Sequence, residues 1–326
     1  MVWDVVIAGA GPAGAVAAGV LSRTGRRVLL VDDVVSGKPK VGESLPGAAR
    51  PLLQDLGLLS LMEEGHLPSY GNVSAWGTND LVTTDFIRDP NGLGWHLDRA
   101  QFDADLRQYA RQVGAQFQTD RVLSIQASRE GWQIRLSDSE TTARWLIDAT
   151  GRRAALAQGL GIQRQRDDSL VALWTWAVTP KGKLLCNAPS TGLDTRALVE
   201  ATPDGWWYTA LLPDYRRMVV LHVDRNDAIA VLHQPEMWFE RLFHTVHVKH
   251  VLAGAVFQDK PSATEACGSR LTQFAGPGWI AVGDAALSFD PLSSQGILNA
   301  LYTGMRAGQA VNLALDGNWE QISAYT

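Results

Sequence analysis

Two short apolar runs, Val5–Ile7 and Val28–Val31, bracket the pattern G-x-G-x-x-G at Gly9, Gly11 and Gly14 and an alanine-rich segment of helical character. This spacing predicts a strand, a tight turn, a helix started on that turn, and a second strand. Each glycine has its own task. Gly9 allows the turn, Gly11 lets a pyrophosphate approach the backbone, and Gly14, beside Ala13, lets helix and strand pack closely. The helix start then offers unpaired N–H groups and the positive end of its dipole. Asp32, eighteen residues beyond Gly14 and followed by Asp33, is placed to accept hydrogen bonds from ribose hydroxyls. The segment therefore predicts a dinucleotide-binding unit.

The remaining composition narrows the class. A chain of 326 residues exceeds the usual size of one core, so one large or two modest domains are expected. With 46% hydrophobic and 19% charged residues it reads as globular, and a net charge of -5 gives no basic footprint for nucleic acid. The first strand begins almost at Met1 and no run of about eighteen apolar residues follows, which predicts a cytoplasmic protein without a membrane span. Cys186 and Cys267 have neither metal-ligand nor disulfide-framework spacing, so no metal is expected. Four of the twelve tryptophans, Trp174, Trp176, Trp206 and Trp207, fall in one central stretch. They fit either a pocket lining or a core, and both readings stay open.

Along the chain, residues 48 to 65 predict a helix with Leu52, Leu53, Leu56 and Leu59 on one side, stopped near Gly65. A second helix is capped by Asp98, with Gln101 three residues on, and buries Phe102, Leu106, Tyr109 and Val113. Three alternating segments between 122 and 151 predict a β-meander. Residues 170–178, 205–213 and 217–223 read as strands and 235–246 as a helix, before strand, turn and long helix return after Gly278. The fold class expected is α/β: a Rossmann-like nucleotide domain, discontinuous over 1–70, 96–165 and 266–326, with an inserted antiparallel-sheet substrate domain over 71–95 and 166–265.

Five ordered blocks resemble one family. GAGPAG with Asp32, LIDATGRR at 146–153 and AVGDAALSFDPLSSQG at 281–296 are similar to the three FAD fingerprints of the p-hydroxybenzoate hydroxylase fold. VGESLP at 41–46 and GWHLDRAQFD at 94–103 match blocks of its halogenase-like branch. The resemblance implies that FAD occupies the nucleotide fold, bound by the Gly9–Gly14 turn, Asp32, Asp33, Gly42, Glu43, Ser44, Arg99, Val122, Asp148, Thr150, Gly151, Gly283, Asp284, Pro291, Ser294, Gln295 and Gly296. Asp284 would meet the ribityl hydroxyls, and the helix opened by Pro291–Gly296 would face the pyrimidine edge of the flavin.

Two signatures of tryptophan halogenases are missing. No lysine follows the G-E-S block at the expected distance, and the nearest match to W-x-W-x-I-P is Tyr208-Thr-Ala210-Leu-Leu212-Pro213; Trp174–Pro180 resembles it with proline one residue late. The closer likeness is to halogenase-like monooxygenases, including flavoproteins that assist tryptophylquinone maturation. That implies oxygen transfer from O2, through a flavin hydroperoxide, to an aromatic substrate, a polypeptide-borne tryptophan included. NAD(P)H or a separate flavin reductase would supply electrons. His96, Trp76 and Tyr208 are the candidate catalytic, site-lining residues. Halogenation, reduction of unsaturated substrates, and a non-catalytic role in maturing a partner enzyme are the alternatives.

Overall fold

The computed structural model describes residues 2–33, 40–178 and 194–325. Cys186, Thr179 and Pro180 lie outside the described residues. The chain forms two units: residues 1–42, 99–167 and 268–326, and residues 43–98 and 168–267.

In the first unit, strands Trp279–Ala281, Glu140–Asp148, Val2–Ala8, Val28–Asp32 and Gln116–Thr119 lie in that order, all parallel. The expected meander forms as Ser124–Ser128, Gly131–Arg135 and Glu140–Asp148, antiparallel throughout. Strand Val2–Ala8 lies inside the sheet, so over Val5–Ala8 both of its faces are apolar and buried. Val5 and Ile7 enter one core with Ala310 and Val311, while Val6 and Ala8 enter the other with Trp132, Ile134 and Ala157.

Helix Pro12–Arg23 packs on helix Gly296–Leu315 through two glycines. A Cβ at Gly304 would lie 2.3 Å from the Ala13 carbonyl oxygen, and one at Gly308 would lie 2.9 Å from the Val20 side chain. Helix Arg99–Gln112 buries Phe102, Leu106, Ala110 and Asp103, while the expected Tyr109 and Val113 are only half-buried. The Tyr109 ring instead covers Gly19, where a Cβ would come within 2.3 Å of it.

The second unit holds an eight-stranded sheet with the central order Leu170–Val178, Arg216–Asp224, Gly205–Leu211, Ala197–Thr202, Gly71–Ala75, Val82–Asp85. Its pairs are antiparallel except Ala197–Thr202 with Gly71–Ala75. Side chains alternate across a strand, so adjacent Trp206 and Trp207 part company. Trp207 is fully buried with Trp238, Val219 and Leu221. Trp206 lies on the other face.

Residues 43–70 and 96–98, expected with the nucleotide domain, belong to this second unit. Ser44–Leu45 and Leu67–Ser69 both pair with Gly94–His96, and the Glu43 carbonyl accepts the Leu97 N–H at 2.8 Å, which ties the segment into a small sheet of its own. The helix expected over 48–65 stops at Leu56, where Gly57 turns left-handed with φ 70°.

Candidate functional site

The nucleotide turn shows which of its glycines serve the fold. Gly9 has φ +103°, and a Cβ there would lie 2.1 Å from the Ala149 carbonyl oxygen; a Cβ on Gly14 would lie 1.9 Å from that of Gly9. Gly11 differs. Its backbone is extended, at φ -73° and ψ -175°, and a Cβ would meet nothing within 4 Å. Neither conformation nor protein packing requires glycine there, so the open space fits a pyrophosphate over the helix start. The Ala13 methyl is taken up by packing, 3.0 Å from where a Cβ on Gly283 would be.

Asp32 accepts the Ala10 N–H at 2.5 Å, so part of its carboxylate already braces the turn. Asp33 pairs with Arg121, whose hydrogen bond holds it below the usual carboxylate range. Val122 follows, half-buried.

The Asp148 and Thr150 side chains are engaged in holding the fold. Asp148 accepts from the Thr150 N–H and hydroxyl, at 3.0 and 2.6 Å, and from the Leu156 and Ala157 N–H groups, both at 2.9 Å. Its acceptor capacity is spent inside the protein. The Thr150 oxygen also receives the Ala155 N–H at 2.7 Å. Gly151, with φ +64°, faces open space.

Arg99 is committed in the same way. It donates to the Val41 and Gly42 carbonyls at 3.2 and 2.6 Å and pairs with Asp103, which also receives Lys40 at 2.6 Å. Burial alone would raise Asp103, but Arg99 and Lys40 outweigh it and hold the carboxyl below its ordinary range. The direct service of Arg99 is therefore to clamp the 41–42 turn.

Asp284 has the opposite character. It follows Gly283 after strand Trp279–Ala281, and among the described residues it accepts no hydrogen bond from the protein; its one ion pair is with Arg152, at 3.5 Å. Burial raises its pKa against the pull of Arg152, Arg164 and Arg99, yet 35% of its side-chain surface is open. A carboxylate that is enclosed yet open on one side fits a ligand hydroxyl. Beyond it, Pro291 opens a short turn capped by Asp290, Ser294 takes φ 52°, and Gln295 starts helix Gly296–Leu315 with no side chain capping it. A Cβ on Gly296 would meet nothing within 4 Å. These residues fit FAD: the Gly11 opening suits the phosphates and Asp284 suits a polyol.

On the second unit, one sheet face gathers Trp174, Trp176, Trp206, Tyr208 and His222, as the pairs Trp174 with Val220, Val220 with Tyr208, and Trp206 with His222 require. Trp206 stacks on His222 at 3.6 Å and 10°, and Trp76, 52% exposed, tilts over it at 6.5 Å. The Tyr208 phenol is enclosed, and burial together with the nearby Glu43 carboxylate pushes its pKa up. Glu43 is buried and Ser44 pairs with His96, so both belong to the small sheet described above. Sequence reasoning missed His222, a lone histidine in an apolar strand that carries no signal until its partner is known.

His96 does not line an open site. It is fully buried, its Nδ1 lies 2.8 Å from the Leu211 carbonyl, and burial, with Arg217 nearby, pushes its pKa down to about 4. His222 is pushed down to about 3 by burial. Both stay neutral where unfolded histidines, near 6.5, become charged, so unfolding takes up two protons and stability falls as pH drops from 6.5 toward 4. The expected limiting slope from the pair is about 2.7 kcal/mol per pH unit. Urea unfolding at pH 7, 6 and 5 checks this, and H222Q should remove about half of the histidine contribution.

Known proteins agree with this geometry. A family model described as FAD binding domain matches residues 2–301. LodB of Marinomonas mediterranea, provisionally named as an FAD-dependent oxidoreductase, is 28% identical over 95% of this chain and 84% of its own. A 1H-pyrrole-2-carbonyl-[peptidyl-carrier protein] brominase of Pseudoalteromonas luteoviolacea is 26% identical over 97% of this chain and 79% of its own. Among solved structures, the myxobacterial chondrochloren halogenase CndH superposes with a TM-score of 0.89 at 26% identity, over 99% of this chain and 78% of that one. The chain belongs to the FAD binding domain family and is an FAD-dependent oxidoreductase related to the flavin-dependent halogenases.

Proposed function

We propose that the protein is a monooxygenase that inserts one oxygen atom into an electron-rich aromatic substrate, with an indole carried on a polypeptide as the favoured member of that class. The observation that carries the reading is the aromatic face of the second unit, where half-buried Trp174, Trp176 and Tyr208 surround buried Trp206 and leave, with the exposed Trp76, ring surface for offset or edge contacts. FAD supplies the oxidising chemistry, fed by NAD(P)H directly or through a separate reductase. The chain's own residues bind the cofactor and enclose the substrate away from water.

Halogenation is the second reading, supported by the names of the brominase and of CndH. Against it, none of the residues on the aromatic face is a lysine, the residue whose absence after the G-E-S block separates this chain from tryptophan halogenases.

FAD-loaded protein supplied with NADH or a flavin reductase, and with a tryptophan-containing peptide, should consume oxygen in step with a product heavier by one oxygen atom. The second oxygen atom leaves as water. Omission of chloride and bromide should change nothing. A product in which halogen replaces hydrogen, formed only with halide present, selects the second reading, and turnover without oxygen would instead select a reductase.

A further inference from the structure

We propose that Arg152 is a cofactor-positioning residue, whose guanidinium holds the Asp284 carboxylate in place for the ribityl hydroxyls of FAD. The inference rests on the assignment of Asp284 to the flavin and adds a residue that acts through it.

The geometry is specific. Arg152 lies in the turn Gly151–Arg153, directly after the Asp148–Thr150 bracket, and reaches across to the Gly283–Asp284 turn. Its Nε is 3.5 Å from the Asp284 Oδ2, and its Nη2 makes a long hydrogen bond, 3.5 Å, to the Phe289 carbonyl just past strand Leu287–Ser288. The Arg152 main chain is fixed in turn. Its carbonyl accepts from Arg164, which also donates to the Ser269 hydroxyl at 2.9 Å and to that of Ser288 at 3.1 Å. Arg164 therefore secures the base of Arg152, and Arg152 reaches Asp284 on one side of strand Leu287–Ser288 and Phe289 on the other.

Asp284 is enclosed, which favours its neutral form, and the positive groups whose fields reach it are Arg152, Arg164 and Arg99. Arg152 is the largest of these. An ionised carboxylate can accept two or more hydroxyl hydrogen bonds, whereas a protonated one gives up acceptor capacity. Removing Arg152 thus both loosens the carboxylate and brings its protonation closer to neutral pH.

The test is FAD titration of the full-length apoprotein, read by flavin fluorescence at pH 6, 7 and 8, with thermal unfolding of each apo form alongside. R152Q should weaken FAD binding about tenfold at pH 8, as befits a partly exposed ion pair, and by more at pH 6. R152K should recover most of the loss. D284N should weaken binding with a flatter pH dependence, and R152Q added to D284N should cost nothing more. The proposal is overturned if R152Q binds like wild type at every pH, or if it costs as much beside D284N as it does alone, since Arg152 would then serve only as scaffold. Should R152Q not fold, R152H reads the same point: its affinity should rise as pH falls through the histidine range, and a flat profile would overturn the proposal. Wild-type protein that takes up no FAD would refute the assignment of Asp284 itself, which is a distinguishable result.

Discussion

Replacing Gly11 with leucine is expected to weaken FAD binding about 100-fold or more, a loss near 2.7 kcal/mol, while the apoprotein unfolds within about 1 kcal/mol of wild type. Most glycine-to-leucine changes do not separate binding from folding, but this one should. The backbone at Gly11 is one that any residue adopts, and a Cβ there meets no protein atom within 4 Å. A larger side chain therefore strains nothing in the protein and projects into the space a pyrophosphate needs. G14V supplies the contrast, because its Cβ collides with the Gly9 carbonyl and should lower stability with or without cofactor. Flavin released on denaturation, measured beside apo thermal unfolding, checks both. If G11L retained FAD at wild-type affinity, the phosphates would have to lie elsewhere.

The second large effect is on stability. Asp148→Ala should destabilise the protein by about 4 kcal/mol or more, a large part of the 5–15 kcal/mol available to a typical domain. Three backbone N–H groups, of Thr150, Leu156 and Ala157, and the Thr150 hydroxyl lose their acceptor together. The Asp148 side chain is buried, so water does not readily replace it, and each stranded donor costs about 1–3 kcal/mol. D148N should fall between the two proteins, since its amide keeps one acceptor oxygen but cannot serve four donors. Denaturant midpoints of the three proteins check the order. Equal stability of D148A and wild type would mean that the turn re-forms its hydrogen bonds through another route.

Residues with strong local patterns were legible in the sequence. The glycine turn, the meander over 124–148 and the long helix from Gly296 each follow from spacing within one segment. Strand Gln116–Thr119 escaped because its four residues, half-buried to exposed, give no run of apolar alternation. Helix Arg225–His233 escaped for a related reason: it buries only Ala228 and Val231, and Ile229 and Leu232 stay exposed, which blurs the stripe. The site divides along the same line. Gly11 and Asp284 lie in recognisable motifs, whereas the commitment of Asp148 to the fold depends on Leu156 and Ala157 turning back onto it. Arg152 could not be read at all, because its partner lies more than a hundred residues away and is joined to it only by tertiary structure. The tryptophans show how little composition decides: a single residue step places Trp206 and Trp207 on opposite faces.

The interior position of strand Val2–Ala8 also has a bearing on the order of synthesis. Strand Val2–Ala8 must be flanked on one side by Glu140–Asp148, which is made later, and that strand in turn by Trp279–Ala281, later again. The helix that accepts Ala13 and Val20 against Gly304 and Gly308 comes later still. At about 5–20 residues per second, the amino-terminal nucleotide turn waits roughly 15–60 s for these partners. During that interval Val5, Ile7 and Leu21 belong to a core whose other half has not been translated. FAD binding at the nucleotide turn is thus expected only after Gly304 and Gly308 have been made and have packed on Ala13 and Val20.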